Sequence, residues 1–225
     1  MIPFEDFMGA LAVAITLVAC GIYVWQTLRG ETRPHPLSWL IFGTLTGTAY
    51  LVQRDEAAGA GSWVMGVTAV VCLLLCLMSF WRGERVFPWY EWAFLLAAAM
   101  IFMFYLVSRQ PTIAAVLAAT VNVLGFGPTL TKAWRRPHSD SVTTFALNSL
   151  KYVPSFFAMD SLTVATCVMP AALVAGNAVA ALMIYVRRKA LSSPLSPEGE
   201  GRGEGVRKLR KKLQRPDLLM QPRLL

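Results

Sequence analysis

The chain alternates long uncharged stretches with short polar knots. Residues 7–28, 37–53, 59–81, 92–108 and 161–186 contain no Asp, Glu, Lys or Arg. A helix needs roughly 20 mostly apolar residues to cross about 30 Å of hydrocarbon. The pattern therefore predicts seven transmembrane helices, over residues 7–27, 37–52, 62–80, 88–107, 111–130, 141–159 and 162–186. The second is short, and the turn between the sixth and seventh is tight. Trp25, Trp39, Trp63, Trp81, Trp89, Trp92 and Trp134 fall at or near predicted span ends, where amphipathic rings sit at headgroup level.

Composition agrees with this pattern. Apolar residues make up 56% of the 225 and charged ones 15%, against about half and a quarter in a soluble domain. Mean hydropathy is +0.51. The net charge of +8 does not call for nucleic acid. Beyond Ala190 the chain holds eight basic residues against four acidic ones, half of that charge. Most of the remainder lies in loops on one side: Arg29, Arg33, Arg82, Arg85, Lys132, Arg135, Arg136, Arg187, Arg188 and Lys189. The opposite loops hold only Arg54 and Arg109. Ten cations against two orient the N-terminus outside and the tail in the cytoplasm, in a cell (inner) membrane. Glu5 and Asp6 stand where a secretory signal would be basic, so the first helix is expected to remain in the protein.

The Ser-, Pro-, Gly- and Glu-rich stretch from Leu191 and the basic run after it cannot bury a core, and residues 190–225 are expected to form a disordered basic tail. Within it, residues 206–213 have the pattern of a short amphipathic helix for anionic lipid. Cys20, Cys72, Cys76 and Cys167 all fall in apolar runs without zinc or redox spacing, and are read as small buried hydrophobes.

The chain also repeats itself. Arg33-Pro34-His35 follows the first predicted helix and Arg136-Pro137-His138 the fifth. At the same offset Phe42 aligns with Phe145, and Trp25-Gln26 with Pro128-Thr129. Each copy reads helix, basic turn, helix, helix, and the fourth helix stands alone between them. A three-helix unit reverses its direction across the bilayer, so one additional crossing makes the two copies parallel, a known transporter plan. The expected fold class is an all-α integral membrane protein of two parallel triple-helix bundles (3+1+3): residues 1–82, a linker helix within 83–109, and residues 110–189.

The segment Gly127-Pro128-Thr129-Leu130-Thr131-Lys132-Ala133-Trp134-Arg135-Arg136-Pro137-His138-Ser139-Asp140-Ser141-Val142 resembles the PQ-loop signature, a Pro-Gln pair followed by a basic turn and a Ser-rich helix start. The pair is divided here, since the first copy keeps Gln26 and the second keeps Pro128. The last helix, from Met169-Pro170 to Ile184-Tyr185, resembles the closing helix of SWEET sugar transporters. The resemblance implies alternating-access transport, with Gln26, Pro128, Pro34 and Pro137 at hinges. It also marks two departures: Ala171 follows Pro170 where that family has asparagine, and the third predicted helix lacks asparagine.

Candidate chemistry gathers in the sixth predicted helix. Thr144, Asn148, Lys151 and Ser155 are spaced four, three and four residues apart and share one face. Lys151 lies about 15 Å deep at 1.5 Å per residue, beyond the reach of a lysine stem. Such a charge lines an interior path or snorkels past Pro154. Asn148, Lys151, Tyr152, Asn122 and Asn177 are the candidate solute-binding residues, with interhelical hydrogen bonding as the alternative role for the asparagines. Pro128 removes a backbone donor near the end of its helix, and Gly125 and Gly127 loosen it further.

No nucleophile–base pair, phosphate-cradling loop or metal cluster stands out in the sequence, so neither an enzyme nor a cofactor is expected. A retinal-type sensor would need its lysine on the last helix and acidic counter-ions. The expected function is facilitative or ion-coupled movement of a small polar solute: a sugar, amino acid or organic anion. The alternatives are a non-transporting receptor of the same architecture or a membrane scaffold. The partners are the solute and the lipid bilayer, with a homo-oligomer compatible with either reading.

Overall fold

A computed structural model describes residues 2–30, 34–83, 89–135, 137 and 141–192. Arg136, His138 and the tail from residue 193, with its amphipathic stretch, lie outside the described residues. The described elements are α1 (Phe4–Leu28), α2 (Pro36–Asp55), a 3-10 turn (Gly59–Ser62), α3 (Trp63–Arg82), α4 (Trp89–Ser108), α5 (Pro111–Arg135), α6 (Val142–Leu150), α7 (Val153–Phe157) and α8 (Val164–Ser192). No strand occurs among the described residues.

Among the described residues, four segments are long and apolar enough to cross a membrane: Phe4–Leu28, Gly59–Arg82, Trp89–Ser108 and Val164–Leu191. The apolar part of α5 is shorter, Pro111–Gly127. Large apolar side chains point outward along these helices, among them Leu17, Val18, Leu74, Leu77, Leu96, Met100, Leu124 and Leu182. Small and polar side chains pack inside instead, including Ala12, Ala98, Ala114, Ala115, Ala118, Thr16 and Thr48. Small residues let helix backbones approach where no hydrophobic effect drives them together. This inside-out distribution is compatible with a bilayer. Every tryptophan except Trp39 is exposed, while Trp39 packs edge-on against Tyr23 with ring centroids 5.1 Å apart. Buried hydroxyls satisfy themselves on their own helix, as in Thr16 to the Ala12 carbonyl at 2.9 Å and Thr48 to the Thr44 carbonyl at 2.8 Å.

Packing follows one order twice. α3 lies against both α1 and α2, and α8 lies against both α5 and α6. α4 rests on α2 and α5, while α1 meets α6 and α7, and α2 meets α5 and α8. Contacts at the two ends of the helices are consistent. At one end His35 meets Glu91 and Gly83 lies beside Pro34; the α5 and α8 termini meet through Arg188 Nε donating to the Pro137 carbonyl at 2.9 Å. At the other end Asp55 meets Tyr105 and Arg109. There Gly61 N donates to the Ala158 carbonyl at 2.8 Å and Asp160 N to the Ala58 carbonyl at 3.4 Å. The turn after α2 and the turn after α7 are thus joined by two bonds running in opposite directions.

Three expectations are adjusted. The sixth helix is not one span over 141–159 but is broken at Lys151–Tyr152 into α6 and α7. Pro154 has no N–H for the Leu150 carbonyl, and Tyr152 N turns instead to the Ser149 carbonyl, three residues back. α5 does not end near Pro128 but continues to Arg135. Only Cys72 and Cys76 are buried, whereas Cys20 and Cys167 are half-buried, and all four are free thiols.

Candidate functional site

The helix break sets Lys151 in the interior. The Ser141 cap accepts from Thr144 N at 3.3 Å and starts α6; nine helical residues later the i→i−4 ladder is interrupted after Lys151, while Lys151 and Tyr152 keep right-handed helical dihedrals. Lys151 is 6% exposed. Its Nζ donates to Thr68 Oγ1 of α3 at 3.3 Å and stands 4.8 Å from the centroid of the Tyr152 ring. The side chain is thus buried against α3, and it lines neither of the two cavities described below. Among the described residues it forms no ion pair. One hydroxyl and one ring face leave a three-donor ammonium short of partners, so the group retains capacity for an acceptor.

Tyr152 is 2% exposed and belongs to the main core with Leu45, Ile41, Met65, Met169 and Leu173. It braces the lysine rather than standing open to solvent. Ser155, on the same face, is fully buried and donates to the Tyr152 carbonyl at 2.7 Å. Asn148, one turn before Lys151, is half-buried.

The two remaining asparagines stand elsewhere. Asn177 Nδ2 donates to the Leu173 carbonyl of its own helix at 2.8 Å. Asn122 is fully buried in α5, and neither side-chain polar atom has a hydrogen-bond partner among the described residues. It lines a cavity of about 180 Å³ between α2, α4 and α5, to which Lys151, Tyr152, Asn148 and Asn177 do not contribute. Of the proposed hinge residues, Gln26 is half-buried in the last turn of α1, and Pro34 and Pro137 are buried. Pro128 lies within α5.

A second cavity of about 510 Å³ opens at the Asp55 end, with Asp6, Tyr50, Arg54, Trp63 and Asp160 on its walls. Near it Asp55 accepts from the Tyr105 hydroxyl at 2.5 Å and pairs with Arg109 and Arg54 at 3.3 and 3.2 Å. The Tyr105 hydrogen bond, helped by Arg54 and Arg109, holds the Asp55 carboxyl below the usual carboxylate range. Periodicity could not reveal this cluster, because its members belong to different helices.

These features define an all-helical protein with several helices able to cross a membrane and a cationic side chain in its interior. No family model, curated protein or solved structure matches the chain.

Proposed function

We propose that this chain is a multi-pass membrane carrier that moves a small polar solute by rocking one triple-helix bundle against another. The bundles are α1–α3 and α5–α8, with the broken α6–α7 pair as one crossing and α4 as linker. The N-terminus faces outward and the tail the cytoplasm. Support for the repeat comes from the matching packing order in the two halves and from the reciprocal bonds between the loops at Ala58–Gly61 and Ala158–Asp160. Support for the kinship with PQ-loop and SWEET transporters comes from the repeated Arg-Pro-His turns.

The observation that carries the reading is Lys151, buried at a helix break and without an ion-pair partner among the described residues. Charged groups inside a membrane protein are costly and face cavities or pathways. The ammonium selects solutes with a carboxylate, carbonyl or hydroxyl acceptor: an organic anion, an amino acid or a sugar. Asn148, one turn away, supplies a second polar contact.

Full-length protein in liposomes tests this against radiolabelled members of the three classes. Transport requires saturable uptake of at least one, lost in Lys151→Ala and reduced in Asn148→Ala. Stable binding without flux would make the protein a receptor, and neither binding nor flux would leave a scaffold.

A further inference from the structure

Asn122 presents a problem of its own. A buried amide without partners costs about 1–3 kcal/mol, and α5 has many positions where an apolar residue would avoid it. Its cavity is bounded by Ser38 and Phe42 of α2, Glu91 and Phe94 of α4, and Gly125 one turn further along α5. Gly125 lines the cavity, and a Cβ added there would meet nothing within 4 Å, so the position has room for a larger side chain. The cavity lies at the end of the helices where His35 Nδ1 meets Glu91 at 3.0 Å.

From this geometry we infer that the α2–α4–α5 cavity is a binding site for a small, flat, uncharged carboxamide, separate from the Lys151 position. An asparagine side chain offers N–H donors and a carbonyl acceptor in one plane. Its best complement is a second amide, which returns one donor and one acceptor in the same plane. Phe42, Phe94, Ile41 and Leu45 on the lining suit an apolar body. Size sets the limit: a cavity of about 150 Å³ holds benzene, and this one measures about 180 Å³. One aromatic ring carrying a carboxamide fills it. The site touches helices of both halves and the linker between them, so a bound amide would pin their relative position. The inference stands on the cavity alone and does not depend on transport.

Benzamide is the probe and benzoate its near-isosteric anionic control. Saturation-transfer NMR titrations use the full chain in lipid nanodiscs, with empty nanodiscs subtracted. Benzamide binds saturably, and benzoate, which has no N–H to give the Asn122 carbonyl oxygen, binds at least about tenfold more weakly, as expected for leaving that buried acceptor unpaired. Asn122→Leu weakens benzamide by a similar factor while its ligand-free Tm equals or exceeds that of the wild type. Gly125→Val keeps the amide and fills the space, and it too abolishes binding, so the test survives if Asn122→Leu does not fold. Non-saturable benzamide signal, equal affinity for benzoate, or unchanged affinity in Gly125→Val would each overturn the assignment and leave a hydrated cavity only.

Discussion

Lys151 Nζ reaches Thr68 Oγ1 across 83 positions of sequence, and the 3.3 Å contact ties the break between α6 and α7 to the second turn of α3. The lysine is thereby held from two sides, by α3 and by the Tyr152 ring of its own segment. A cation so placed has lost most of its water, and neutral partners repay only part of that loss.

Replacing Lys151 by Met should therefore leave the fold intact, with a Tm equal to or above that of the wild type. Solute binding should fall about 10- to 100-fold, the scale of one charge-assisted hydrogen bond. Thermal unfolding and binding measured on the same preparation separate the two effects. A large fall in Tm would mark Lys151 as a structural residue.

Much of this is legible in the amino-acid sequence. Uncharged runs locate the helices, the depth of Lys151 argues for an inward side chain, and Pro154 points to irregularity near it. The partner of the lysine is not legible, because a helical period names the face a residue shares and not what lies opposite. For the same reason Asn122, Asn177 and Lys151 are alike in the sequence, each a polar residue inside an apolar run. In the folded protein Asn177 is satisfied by its own helix, Asn122 lines a separate cavity and Lys151 meets α3. The joint between Gly61 and Ala158 leaves no trace in composition, since it consists of backbone groups.

That joint is open to a direct test. A Cβ at Gly61 would stand 2.8 Å from the Ser155 carbonyl oxygen and 3.0 Å from Met159 Cα, so backbone must move to admit it. Gly61→Ala should cost about 1–3 kcal/mol. Gly21→Ala serves as the control, because nothing lies within 4 Å of its added Cβ, and it should be neutral or stabilising by up to about 1 kcal/mol. Denaturation in mixed micelles distinguishes them, and equal effects would contradict the joint.

Asp55 makes stability depend on pH. Its carboxyl titrates lower in the folded protein than in the unfolded chain, through the Tyr105 hydroxyl first and then Arg54 and Arg109. The unfolded value is about 4, so this stabilisation is present above that pH and is lost as pH falls through the folded value. Tm measured from pH 7 downward should stay level and then drop in the acid range. Tyr105→Phe should cost about 1 kcal/mol at neutral pH, discounted for the partly exposed carboxylate, and should flatten the acid drop. An unchanged acid profile would exclude the pair as its source.

The duplicated bundle is the claim on which the carrier reading rests, and sidedness tests it most directly. Single cysteines are placed at residues 30, 57, 83, 109 and 138 of a cysteine-free protein and challenged in intact cells with a thiol reagent that cannot cross membranes. Labelling at 57 and 109, with protection at 30, 83 and 138 until the membrane is permeabilised, is the predicted result. Labelling of 138 from outside while 30 stays protected would set the two Arg-Pro-His turns on opposite faces, and would contradict parallel halves.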